Sequence, residues 1–269
     1  LQPDIIVCRT EVPLEEDIKD KIALFCNVSK YHVIQNLDVE TLYEAPLAME
    51  KEHLADIACK CLHLECPTPD LADWEKMIEA VKHPTQSVRV ALVGKYTSLH
   101  DAYISVVEAL KHGGIPHNAT VDIKWVNSED VTRENAAEYF NDIDGIIVPG
   151  GFGTRGMDGK IHAIEYARVH NIPFLGLCVG MQLAIVEFAR NVLDLRDAHS
   201  IELDPSTSHP VINLMEDQND VTDIGGTLRL GAYPCVLDEN SKAYQLYGSK
   251  EISERHRHRY EVNNYYRED

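Results

Sequence analysis

Ile172-Pro173-Phe174-Leu175-Gly176-Leu177-Cys178-Val179-Gly180-Met181-Gln182 runs an apolar strand into a cysteine and straight on into an apolar helix. The strand is expected over Ile172–Leu177 and the helix from Val179 to about Arg190. A nucleophile on so tight a turn needs small neighbours two residues to either side, where the backbone folds back on itself. Gly176 and Gly180 stand at those places. The helix N-terminus beyond Cys178 offers unpaired N–H groups and positive potential, so thiolate is expected to be favoured over thiol. The plain alternative is a buried structural cysteine, with glycines present for close packing.

Upstream of the elbow, strands and helices alternate. Val88–Val93, Val121–Val126 and Asp144–Val148 read as strands, while Asp101–Lys111, Thr132–Phe140 and Asp158–His170 read as helices. Such alternation predicts an α/β domain with a parallel sheet. Pro149-Gly150-Gly151-Phe152-Gly153 follows the strand before the elbow. C-terminal ends of adjacent parallel strands face one crevice. The Gly151 amide is therefore expected to form half an oxyanion hole beside Cys178, completed by the amide of Val179. Alone, the glycine loop would read as a flexible turn.

The N-terminal part is less regular. Asp4–Cys8 reads as a strand, Lys21–Cys26 as either a helical turn or a buried strand, and Pro46–Cys61 as an amphipathic helix. Asp70–Val81 carries Leu71, Trp74, Met77, Ile78 and Val81 at helical spacing. The break at His83-Pro84 separates an expected domain 1–82 from one spanning 88–269. Residues 195–269 are expected to form strands and loops packed on the sheet. Net charge is −19, which argues against a nonspecific nucleic-acid surface. No uncharged apolar run approaches the roughly 18 residues of a membrane span, and no secretory start is visible. Seven cysteines, an odd number, suggest free thiols in a reducing cytoplasm. Cys59, Cys61 and Cys66 have a zinc flavour but lack a second ligand pair, so no metal is assigned.

The chain resembles the CTP synthase family. The likeness rests on KIALFCNV (Lys21–Val28), VALVGKY (Val90–Tyr96), DAYISVVEALKHGG (Asp101–Gly114), VPGGFGTRG (Val148–Gly156), LGLCVGMQ (Leu175–Gln182), GGTLRLG (Gly225–Gly231) and ERHRHRYEVN (Glu254–Asn263). It implies a flavodoxin-like parallel sheet flanked by helices, of class I glutamine amidotransferase type. Before it would stand a remnant of an α/β P-loop-type ligase domain. By position, Cys178 matches the nucleophile that forms a γ-glutamyl thioester, and Gly151 and Val179 match the oxyanion donors. Gly180, Met181, Gln182, Glu202 and Arg259 match residues that hold glutamine. A carboxylate suits the α-ammonium and a guanidinium fork the α-carboxylate. Lys21 matches a UTP/CTP-site residue, and Leu37-Asp38-Val39 a stretch lining the adenine of ATP. The resemblance further implies ATP with Mg²⁺, GTP as activator, CTP as product inhibitor and a homotetramer when complete.

Two departures stand beside it. The family's His-Pro-Glu base motif does not occur: His83-Pro84 and His209-Pro210 are followed by Thr85 and Val211. The amidotransferase domain is thus expected to be incomplete at its C-terminus. His256 and His258, with Glu261, are expected to be structural, since arginines and histidines alternate faces in an extended RHRHR segment. The family's phosphate loop and Mg²⁺ carboxylates are also not found. Rival readings are another cysteine-elbow protein, such as a γ-glutamyl hydrolase or a redox-type cysteine protein, and a non-catalytic interaction module.

Overall fold

The computed structural model describes residues 2–214 and 229–267, so Gly225–Leu228 of the GGTLRLG stretch lie outside the described residues. The chain divides into two compact units, Leu1–Thr85 with Ile115–Ala119, and Gln86–Gly114 with Thr120–Asp269.

In the first unit β1 (Ile6–Thr10) precedes α1 (Glu16–Cys26), β2 (Val33–Leu37), α2 (Ala45–Lys51), α3 (Leu54–Cys61) and α4 (Ala72–Lys82). β1 and β2 pair in parallel, Ile6 opposite Val33. The ambiguous Lys21–Cys26 run is helical. Acidic Glu16 and Asp17 open α1, and Asn27 closes it in the left-handed conformation at φ 52°. A buried strand is therefore excluded: Ala23 is buried, while Leu24 and Phe25 are 78% and 87% exposed. The helix expected over Pro46–Cys61 is two helices, because His53 takes φ 61° and breaks the ladder. In α4, Ile78 is buried and the Trp74 indole N–H donates to the Tyr43 carbonyl at 2.7 Å.

The second unit is built on β3 (Gln86–Gly94), α5 (Ile104–Gly114), β4 (Ala119–Asn127), α6 (Ala136–Phe140), β5 (Gly145–Val148), α7 (Met157–Val169), β6 (Phe174–Gly176) and α8 (Val179–Asn191). The strand order is β4-β3-β5-β6, with β3, β5 and β6 parallel. Alternation along the central strands assigns the faces. Ala91, Val93, Ile146 and Val148 pack with Ile161, Ile164, Leu183 and Val186 of α7 and α8. Leu92 and Ile147 turn to the other face and meet Tyr103, Val106 and Leu110.

The remainder contains β7 (His199–Ser200), β8 (Pro210–Asn213), β9 (Arg229–Val236), α9 (Lys242–Tyr247), β10 (Glu251–His258) and β11 (Glu261–Val262). It is only partly the layer expected on the sheet. β11-β8-β7 form their own small sheet, which brings Ala198, Val211 and Ile212 into the main core. β9 and β10 form a separate antiparallel pair with His256 opposite Gly231. No helix among the described residues is long and apolar enough to cross a membrane.

Candidate active site

β6 ends at Gly176, the Leu177 N–H donates to the Val148 carbonyl at 2.9 Å, and α8 begins at Val179. Cys178 lies between them at φ 54° and ψ −110°. A non-glycine residue is held there at a cost of order 1–3 kcal/mol, which surrounding structure must offset. The offset is visible. The Gly180 N–H reaches the Leu177 carbonyl at 2.9 Å and the Gln182 N–H the Cys178 carbonyl at 3.2 Å. The flanking glycines are required by close approach: a Cβ on Gly180 would sit 2.0 Å from the Val148 carbonyl oxygen, and one on Gly176 would sit 2.5 Å from backbone of the elbow.

The glycine loop after β5 faces this cysteine. A Cβ on Gly150 would lie 3.3 Å from Cys178 Cβ, so Gly150 makes the close approach. Gly151, the expected oxyanion donor, has only ordinary contacts around it, with the Lys160 and Lys95 side chains. Lys160, fully buried in α7, donates to the Pro149 carbonyl at 3.3 Å and ties the loop from beneath. Lys95 donates to the Phe152 carbonyl.

Cys178 is exposed at the mouth of the crevice, yet the crowding around its sulfur governs its titration. Burial of the thiol pushes its pKa up, and the Glu202 carboxylate adds to the rise. The Val179 N–H, which hydrogen-bonds the sulfur, and the Lys160 ammonium pull downward without reversing the result. The thiolate-favouring expectation is therefore corrected. One peptide N–H and a helix terminus do not outweigh desolvation plus a nearby negative charge.

Lys160 is shifted the opposite way. Burial first, and then Lys95, lower its pKa to about 8, with Cys178 opposing. An unfolded lysine titrates near ~10.4. Between those values the unfolded chain holds the extra proton, so stability rises with pH across that window. We expect Lys160 to add about 2 kcal/mol of stability between pH 7 and pH 10, a gain that Lys160→Met lacks. Urea unfolding of both proteins at a series of pH values measures the difference. Parallel profiles would mean that Lys160 titrates like an exposed lysine.

A cavity of about 150 Å³ has Gly151, Cys178, Val179, Gln182, Glu202 and Arg259 in its wall. Gln182 is buried and donates to the Tyr260 carbonyl at 2.9 Å. Burial pushes the Glu202 carboxyl pKa up, against the pull of Arg259. The Arg259 Nε is buried and makes no hydrogen bond. A second cavity of about 540 Å³ opens beside it, walled by Cys178, Met181 and Gln182 together with His256 and His258. Gly180 lies buried under the elbow. The histidines expected to serve strand structure thus also face the cysteine's surroundings.

Of the other candidates, all but His209 lie in the first unit. Lys21 is exposed in an ion pair with Asp17 at 3.0 Å. Leu37 ends β2, Asp38 pairs with Arg9 at 3.1 Å, and Val39 is half-buried. Cys59 hydrogen-bonds Cys66, which raises its pKa. Among the described residues no three-ligand group includes Cys59, Cys61 and Cys66. His209 contacts the Tyr266 hydroxyl at 3.4 Å, and His83 lies 3.7 Å from Glu79.

Sequence reasoning missed Gly150 and Lys160. Lys160 left a signal: it shares an i, i+3, i+4, i+7 stripe with Ala163, Ile164 and Ala167. A lysine on the apolar stripe of a helix either snorkels out or has a buried partner.

A cysteine at a strained strand-to-helix elbow, faced by a glycine loop from the neighbouring parallel strand, defines the cysteine-elbow class of α/β domains. The family model described as Glutamine amidotransferase class-I matches residues 98–269, and that described as CTP synthase N-terminus matches residues 1–64. The CTP synthase of Clostridium beijerinckii is 55% identical over 267 residues, covering 99% of this chain and 50% of that protein. That of Clostridium perfringens is 57% identical with the same coverage. A solved structure described as Trypanosoma brucei CTPS glutaminase domain with bound acivicin aligns at TM-score 0.63 and 40% identity, over 67% of this chain and 70% of that one. The chain belongs to the class I glutamine amidotransferases, within the CTP synthase family, and spans about half the length of the curated relatives it matches.

Proposed function

We propose that this chain carries the glutaminase chemistry of a CTP synthase, with Cys178 as nucleophile. The observation that carries the reading is one cavity bearing the Cys178 elbow, the Glu202 carboxylate and the Arg259 guanidinium, whose buried Nε makes no hydrogen bond. Glutamine needs those three groups: a carboxylate for its α-ammonium, a guanidinium for its α-carboxylate and a sulfur for its side-chain carbon. The sulfur attacks the carboxamide carbon, and the carbonyl oxygen takes up negative charge facing the Gly151 and Val179 amides. Collapse expels the nitrogen as ammonia once it is protonated and leaves a γ-glutamyl thioester. Water then adds to the thioester carbon, glutamate leaves, and the thiol is restored. Gln182 forms part of the cavity wall, Met181 lines the adjoining cavity, and Gly180 lets the elbow pack against Val148.

In the same reading the ammonia aminates UTP to CTP in an ATP-dependent ligase step in the cytoplasm. Lys21 would serve the UTP/CTP site and Leu37, Asp38 and Val39 the ATP site; GTP would activate, CTP would inhibit as product, and a homotetramer would be the working assembly. Similarity to relatives named CTP synthase supports this part. Mg²⁺ prefers oxygen ligands, and the described residues bring together no such set, the one candidate group being two histidines and a glutamate. No step is assigned to Mg²⁺ in this chain.

Glu202→Gln and Arg259→Met should each weaken glutamine binding about 10–100-fold, the worth of a charge-assisted hydrogen bond, with little change in melting temperature. Calorimetric titration in a Cys178→Ala background avoids turnover. Because its pKa is raised, Glu202 loses its charge earlier on acidification than an ordinary carboxylate, so affinity should fall already in mildly acidic buffer. Unchanged affinity with a lowered melting temperature would assign both residues to structure and sink the glutaminase reading.

A further inference from the structure

β10 carries His256 and His258 two residues apart, so both imidazoles stand on one face of the strand while Arg255 and Arg257 alternate to the other. Glu261, at the start of β11, returns to the same place. His258 Nδ1 lies 3.3 Å from Glu261 Oε1, and the two imidazole centroids are 5.0 Å apart. A ligand atom from each of the three residues lies within 4.8 Å of the other two. Tyr233 stacks on His256 at 5.3 Å and holds its ring plane.

The ring nitrogens point to an occupant. Nδ1 of His256 is buried without a hydrogen bond, and Nδ1 of His258 is buried without one although the Glu261 carboxylate stands 3.3 Å away. Buried polar atoms are normally satisfied, and leaving one unpaired is costly. Nitrogen lone pairs beside a carboxylate are satisfied together by one cation. Two ligands each 2.0–2.1 Å from a tetrahedral zinc lie about 3.3 Å apart, which is the His258–Glu261 separation. The three ligand atoms lie within 4.8 Å of one another, so the set closes on an ion with side-chain movement.

We propose that His256, His258 and Glu261 form a binding site for a single borderline divalent transition cation of the zinc, cobalt or nickel kind. Two imidazoles and one carboxylate suit such ions, whereas Mg²⁺ and Ca²⁺ prefer all-oxygen sets. Three protein ligands leave a fourth position for water or another small ligand. The ion has a route from solvent, because both histidines line the cavity of about 540 Å³ beside Cys178. Sequence reading assigns no metal here, since His-x-His followed by a glutamate carries no signal until the strand pair positions it.

The test is titration of the full chain with zinc alone. One ion per chain is expected. His256→Asn, His258→Asn and Glu261→Gln should each weaken binding about tenfold or more, since even the outer partners of a ligand cost that much. Cys178→Ala should leave affinity within twofold. Cobalt in place of zinc should give visible bands without the near-ultraviolet charge transfer of a cobalt–thiolate bond. Folding of the variants is bypassed by nitrogen NMR on the unmutated chain, where zinc should move the ring resonances of His256 and His258. No binding at micromolar zinc, a thiolate band, equal loss in Cys178→Ala, or ring shifts confined to other histidines would each overturn the site.

Discussion

Cys178→Ala is expected to lower glutamine hydrolysis by the chain about 10³-fold or more, because no other group in the site can form the thioester. The same replacement should remove covalent capture of a glutamine-shaped electrophile. Intact-mass measurement after labelling reads this directly, and peptide mapping separates Cys178 from the other six of the seven cysteines. The raised thiol pKa sets a second mark. With a plain alkylating reagent, Cys178 should label faster as pH rises beyond the range of an ordinary thiol, since thiolate is the attacking form. The glutamine-shaped reagent should label it well below that range, because in the proposed site its reacting carbon is held at the sulfur. Equal capture by Cys178→Ala, or a labelling rate independent of reagent shape, would place the nucleophile elsewhere.

The elbow was legible because its demands are local. Glycine two residues to either side of a cysteine, between an apolar strand and an apolar helix, leaves few other backbone solutions, and Cys178 takes the strained conformation they permit. The sheet was legible for the same reason, with central strands apolar on both faces. Titration of the cysteine was not. It depends first on burial of the sulfur, and then on Glu202 and Lys160, which reach it from elsewhere in the chain. Helix ends were misread where side chains rather than proline or glycine set them. Thr132 and Asn135 bond each other's backbone N–H groups at 2.7 and 3.3 Å, making a turn that delays α6 to Ala136. His53 breaks α2 from α3 with no glycine to announce it. Glu202 and Arg259 were reached through family resemblance alone, since nothing in their local sequence says that the β7–β8 and β10–β11 connections carry them to one cavity.

The second large effect lies where α7 and α8 cross. The Glu187 side chain on α8 is 1% exposed and takes hydrogen bonds from Arg168 Nε at 3.1 and 3.0 Å and from Arg168 Nη2 at 2.7 Å. Asn191 Nδ2 adds one at 3.0 Å. Arg168 itself is 35% exposed, so the pair is asymmetric: the arginine can reach water and the glutamate cannot. Arg168→Ala should therefore cost about 3–5 kcal/mol, the usual penalty for leaving a buried charge uncompensated. Glu187→Gln should cost less, because a neutral amide stays hydrogen-bonded to Asn191 while Arg168 turns to solvent. Since α7 carries Lys160 and α8 follows directly on Cys178, the clamp also fixes the two helices that hold the site. Urea unfolding of both variants gives the comparison, with the double replacement Arg168→Leu, Glu187→Leu as reference. That double variant should recover most of the stability lost in Arg168→Ala, because a well-packed apolar pair of similar volume often matches a buried ion pair. A Glu187→Gln loss equal to or larger than the Arg168→Ala loss would show that the carboxylate's desolvation is not the controlling cost.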